Sequence, residues 1–233
     1  GGDLGTKTFG GDPYWVGALG KSYIRGVHQG SQWRMLVISK NFPGRGGSDR
    51  PPEEEVATVR KSLEQLKQIE LAPFFSVTGN TSDNNEITDG LLLSHIRYQG
   101  FQGNIRATTK PVSFDASALE QILSLEPLSI WRSNGGIMVT DNLGSQAVRR
   151  FFDPNGNSFD ARTVASSSFL AGSDLLYVDT NFIGSGDADS FASLIKTLDY
   201  FSQKYKEDPV FAERVDQSVS RLLTLKYRLY PRF

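Results

Sequence analysis

The chain has 233 residues, a net charge of −1 and 38 % hydrophobic residues, enough for one large domain or a small pair with a substantial core. That charge offers no basic surface for nucleic acid or an anionic membrane, and no apolar run approaches the roughly 20 residues of a membrane span. The lack of cysteine excludes disulfides and thiolate metal sites, and two histidines far apart in sequence, His28 and His95, do not suggest a zinc or iron centre.

Residues 1–12 form a glycine-rich loop. The chain opens on Gly1-Gly2-Asp3 with no strand ahead of its first helix, so it reads as a piece of a longer protein whose targeting segment lies elsewhere, and cytoplasmic and extracellular placements are both open. Asp12 and Pro13 are the cap and first position of a helix to about His28, with Trp15, Leu19, Tyr23 and Val27 at helical spacing and Gly30 as its stop. A first strand is predicted over residues 34–39, followed by a loop rich in Gly and Pro over 40–52. Glu53, Glu54 and Glu55 are expected to begin a helix running through Leu63 and Leu66, with a further helical turn or loop at 71–75 and a polar turn at 78–85. Residues 90–96 read as the second strand and 115–125 as a helix.

The stretch from Gly135 to Val148 is the most informative. Ile137-Met138-Val139 is too short for a globular helix and is bounded by glycines, so it reads as a strand covered on both faces. Asp141 falls just past its carboxyl end, the edge where α/β folds collect their chemistry. Asp is also a favoured N-cap for the helix predicted near 144–152, and the residues alone leave both roles open. A polar insert at 153–157, a short helix near 161–171 and a last strand at 174–178 follow. Two helices, 188–206 and 209–229, close the chain on either side of Asp208-Pro209, with Phe191, Leu194, Leu198, Val215, Val219 and Leu222 on their core faces. Four alternating strand and helix units mean a parallel α/β sheet. Four strands cannot close an eight-stranded barrel, so the chain is a small open sheet or the back half of a barrel.

Four stretches taken together, Lys7-Thr8-Phe9-Gly10, Lys40 to Gly46, Gly136 to Leu143 and Ala171 to Leu176, resemble the family 3 glycoside hydrolases; Arg214 to Leu223 is similar to that family's last barrel helix. The bacterial β-N-acetylhexosaminidase branch is the nearest likeness, and it covers essentially the whole chain. The resemblance implies a (β/α)8 TIM-barrel domain of which this chain holds about strands five to eight. It implies no cofactor or metal, a carbohydrate substrate, and a retaining mechanism with Asp141 as nucleophile. Lys7, Lys40, Asn41 and His95 match sugar-binding positions, although a satisfied histidine at a strand end is an equal reading of His95.

The departures concern proton transfer. Asn41 and Arg45 stand where the family has histidines, Lys7 replaces an arginine, and the following loop reads Gly47-Ser48-Asp49-Arg50 without the branch's Asp-x-His pair. Arginine cannot shuttle a proton near neutral pH. The acid/base is then expected at Asp49, with Glu53, Glu54 or Glu55 as substitutes and a solvated helix start as their bland reading. An active β-glycosidase and a degenerate barrel that binds sugar or serves as scaffold are the two functions in view. A half barrel leaves open sheet edges, so association with the missing N-terminal half or with another copy is expected.

Overall fold

The computed structural model describes residues 8–79, 81–179, 182 and 192–230. Lys7 and Phe191 lie outside them. Helix α1 (Pro13–Gly30) starts where predicted, with the Asp12 carboxylate accepting from the Tyr14 and Trp15 N–H groups. Its inner face is Gly17, Ile24 and His28, while Trp15, Leu19 and Tyr23 form an exposed stripe. A Cβ at Gly17 would lie 2.6 Å from Ser76 Oγ, so glycine there lets α1 close on α3 (Ala72–Thr78).

Strand β1 (Ile38–Phe42) begins four residues later than predicted. Gln32 and Trp33 sit at positive φ, and Val37 N–H donates to the Asp89 carboxylate at 2.7 Å instead of to a neighbouring strand. The helix expected from Glu53 does not form. Glu54 and Glu55 close a single turn on the Pro51 carbonyl, and the β-branched run that follows becomes β2 (Ala57–Val59). Helix α2 (Leu63–Gln68) starts only at Ser62, whose reciprocal bonds with Gln65 make a capping box. The segment 90–96 is broken by Ser94 and His95 into β3 (Gly90–Leu93) and β4 (Ile96–Tyr98). Short helix α4 (Gln99–Gln102) follows.

Helix α5 (Ala116–Leu123) is capped by Asp115, and α6 (Leu128–Ser133), not foreseen, leads to β5 (Ile137–Thr140). Ser145 caps α7 (Gln146–Phe152) and Asp160 caps α8 (Ala161–Ala171). The predicted last strand is reduced to a parallel bridge between Leu175 and Val139. Helices α9 (Ala192–Glu207) and α10 (Pro209–Leu229) divide at Asp208, as expected from Asp-Pro. Their faces are less buried than predicted: Leu198 and Val219 are exposed, and among the described residues the buried positions are Thr197, Phe211, Ser218 and Leu225.

The sheet runs β1-β3-β5 and every pair is parallel, with Ile38 beside Gly90 and Gly90 beside Ile137. A second pair, β2-β4, is also parallel. The interior strand β3 buries Leu91 and Leu93 completely, whereas β1, at the sheet edge, is half-buried over Ile38 and Ser39 and exposed at Lys40. A larger apolar cluster joins Phe42, Leu91, Leu93, Ile96, Leu119 and Met138; a smaller one, including Leu143, Val148, Val164 and Phe182, lies under the turn after β5.

Candidate active site

The carboxyl ends of β3 and β5 lie side by side. The Asp141 N–H donates to the Leu93 carbonyl at 3.0 Å, so the ladder reaches the residue that carries the carboxylate. The turn beyond it is pinned from three directions through Asn142. Its Nδ2 donates to Asp179 at 2.7 Å, its Oδ1 accepts from Gly144 N–H at 2.9 Å, and its carbonyl accepts from His95 Nε2 at 3.1 Å. Leu143 and Val148, both fully buried, anchor the turn from below. A Cβ on Gly144 would collide with the Asp179 carboxylate and the Phe182 backbone, so the turn requires glycine there. The Asp141 side chain itself is half-buried, and its Oδ1 accepts from the next residue's N–H at 2.8 Å. Asp141 is therefore not the cap of α7; Ser145 is.

His95 serves the turn and the cleft together. A carbonyl accepts only, so Nε2 carries a proton, and Nδ1 accepts from Ser113 Oγ at 2.8 Å. The ring stacks on Phe114. Burial pushes the imidazole below its usual range; the negative charge of Asp141 and the Asn142 and Asp141 backbone acceptors pull the other way without reversing it. The ring is thus a neutral positioning group at pH 7. Both readings of this residue meet in one place, since it lines the cleft with both nitrogens bonded.

That cleft, about 260 Å³, is lined by Arg45, Glu53, Ser94, His95, Asp141 and Asn142 among others. Ser94 is 3 % exposed and its hydroxyl has no hydrogen-bond partner among the described residues. Arg45 Nη1 and Glu53 Oε1 are 2.6 Å apart, and the Glu53 carbonyl accepts from Ala147 N–H in the first turn of α7 at 3.2 Å. Two other loop carboxylates, Asp49 and Glu55, are engaged elsewhere. Asp49 accepts from Thr58 N–H at 2.8 Å and from Arg50 at 3.2 Å, and it does not line the cleft. Burial raises the Asp49 pKa, but the Thr58 and Arg50 hydrogen bonds and the Arg50 and Arg60 charges outweigh it, leaving the group below the usual carboxylate range. Glu55 pairs with Arg50 at 2.8 Å and Arg150 at 3.5 Å.

Lys40 and Asn41 sit in β1 near its carboxyl end, the lysine exposed and the asparagine at φ 67°, outside the cleft lining. Sequence reasoning did not single out Ser94 or Gln146. The only signal for Ser94 was its place before His95 at the end of an apolar run.

The sequence profile described as the glycosyl hydrolase family 3 N terminal domain matches residues 2–225. A β-hexosaminidase from Hydrogenovibrio crunogenus is 24 % identical over 175 residues, 75 % of this chain and 42 % of that protein. The solved family 3 β-N-acetylglucosaminidase from Paenibacillus sp. FPU-7 superposes with a TM-score of 0.74 at 23 % identity, over 97 % of this chain and 36 % of its own. A β-N-acetylhexosaminidase from Beutenbergia cavernae gives a TM-score of 0.65 at 18 % identity, over 94 % of this chain and 54 % of that one. The structural likenesses establish a shared fold, and the chain spans less than half the length of the Hydrogenovibrio relative. With a parallel sheet, a carboxylate at its carboxyl edge and a profile match over nearly all its length, this chain belongs to the glycosyl hydrolase family 3 N-terminal domain family.

Proposed function

We propose that the chain is the nucleophile-bearing part of a retaining β-glycosidase acting on β-N-acetylglucosaminides or β-glucosides. The observation that carries this reading is the Asp141 carboxylate, held at the carboxyl end of β5 by a three-way hydrogen-bonded turn and facing a cleft. Its own hydrogen bonding is light, one backbone N–H, so oxygen lone pairs stay available for the anomeric carbon. An ionised carboxylate there stabilises the oxocarbenium-like charge and forms the glycosyl ester; a group on the 45–55 loop gives the proton to the leaving oxygen and takes one from water.

In this reading the four parallel segments are about strands five to eight of a (β/α)8 barrel, and the free edge of β1 receives the strand that precedes it, from the N-terminal half or from a second copy. Lys40 and Asn41, at that edge, bind sugar hydroxyls across the seam. The buried Ser94 hydroxyl takes another sugar hydroxyl. The test is Asp141→Ala in the full-length protein. Hydrolysis of an aryl β-N-acetylglucosaminide and an aryl β-glucoside should drop on the order of 10³-fold or more. Unchanged turnover removes Asp141 from the mechanism, and sugar binding in calorimetry without wild-type turnover favours a binding domain instead.

A further inference from the structure

The identity of the proton donor can be taken further, on the footing of the reading above. The 45–55 loop carries four carboxylates, and the structure separates them. Asp49 is held by the Thr58 N–H and by Arg50. Glu55 is held by Arg50 and Arg150 and does not line the cleft. Glu54 is exposed and does not line the cleft. Glu53 alone of the four lines the cavity that Asp141 lines. Its backbone is tied to α7 through Ala147, the helix that begins just after the Asp141 turn, so the two carboxylates are carried by one connected piece of structure.

We infer that Glu53 is the general acid/base of this site. In the first half-reaction an Asp141 oxygen bonds to the anomeric carbon, the bond from that carbon to the leaving oxygen breaks, and the Glu53 carboxyl gives its proton to that oxygen. In the second, the Glu53 carboxylate takes a proton from water, whose oxygen bonds to the anomeric carbon as the Asp141 ester breaks. Both groups return to their starting states and no further reactant is needed. Arg45, which also lines the cleft, pairs with Glu53 in its ionised form, the form left once the proton has gone to the leaving oxygen. Glu53 is 62 % exposed in that pair, so water screens the attraction, and an incoming glycosidic oxygen competes for the carboxyl group.

The experiment is Glu53→Gln in the full-length protein, beside Asp49→Asn and Glu55→Gln, on aryl β-N-acetylglucosaminides and β-glucosides whose leaving groups run from phenol to dinitrophenol. Glu53→Gln should lose about 100-fold or more in kcat/KM on the phenyl glycoside and far less on the dinitrophenyl one. The alkaline limb of its pH profile should vanish, and sodium azide should restore turnover with release of the β-glycosyl azide. The other two variants should keep the wild-type leaving-group dependence. An equal loss across leaving groups without azide rescue makes Glu53 structural and overturns the assignment, as does the predicted pattern appearing in Asp49→Asn. Loss of the glycosidase reading looks different: Asp141→Ala then turns over like wild type, whatever Glu53→Gln does.

Discussion

The two ends of the sheet treat carboxylates in opposite ways. At the amino end, Asp89 is buried and accepts from His28 Nε2 at 2.9 Å, Val37 N–H at 2.7 Å and Arg228. His28 and Arg228 lie against the ring of Trp33, which closes that network. Asp174 is also buried, bonded to Arg132, to Met138 N–H at 2.9 Å and to Ser218 at 2.7 Å, with Arg214 and Arg221 within 3.5 Å. At the carboxyl end, Asp141 is half-buried with one local backbone donor. The larger cavity, about 760 Å³, opens at the amino end beside Asp89 and Arg228. Its size alone does not make it a candidate active site, because those two charged groups pair with each other. A carboxylate that has used up its lone pairs on the fold stabilises; one that has kept them is free to react. This matches the usual division of labour between the two faces of parallel α/β folds.

Substitutions at the two ends should separate folding from turnover. Asp174→Ala would leave Arg132, Arg214 and Arg221 facing a buried gap, and we expect about 3–5 kcal/mol of lost stability in denaturant unfolding. Asp141→Ala should shift stability by less than about 1 kcal/mol while removing turnover. If Asp141→Ala unfolds the chain as Asp174→Ala does, the contrast is void. Asp89→Asn should be next, at roughly 2–3 kcal/mol, since it weakens acceptance from Arg228 and His28.

Acid stability sharpens the same contrast. Burial raises the Asp174 pKa, but the Arg132 hydrogen bond and charge, the Met138 N–H and Ser218 outweigh it, so the folded value lies below the unfolded one. The stabilisation is present above the unfolded value of about 3.9 and is lost as pH falls through the lower folded value. Asp174→Asn should therefore flatten the acid side of a melting-temperature profile, and a mutant profile parallel to wild type contradicts this. The smallest effect is expected at Ser94. Its hydroxyl makes no bond to the described residues, so Ser94→Ala should leave folding within about 0.5 kcal/mol and raise KM up to roughly tenfold. A melting-temperature loss of many degrees with unchanged KM would show a structural role.

The parts of the fold written in local patterns were legible. The cap at Asp12, the helices starting near 115 and 161, the break at Asp208-Pro209 and the apolar run at Ile137–Val139 mark elements that the structure contains. What escaped was set by partners distant in sequence. Three glutamates after two prolines resemble a helix start, yet Ala57–Val59 pairs with Ile96–Tyr98 and becomes a strand. The start of β1 was misplaced because Asp89, 52 residues away, takes the Val37 N–H. Asp141 could be singled out as a candidate because a carboxylate ending an apolar strand is a one-dimensional signal, to which the family resemblance added a role. Glu53 and Ser94 could not be chosen from their neighbours, because only the folded loop shows which side chain faces the cleft.

The most direct test of the central claim is covalent trapping. The full-length protein is incubated with a fluorinated N-acetylglucosaminyl or glucosyl fluoride, which glycosylates the nucleophile with loss of fluoride and without needing an acid, and is then digested and mapped by mass spectrometry. The account predicts one added glycosyl unit on the peptide containing Asp141, absent from Asp141→Ala. A glycosyl unit on any other residue, or rapid turnover of the fluoride with no ester at Asp141, contradicts it.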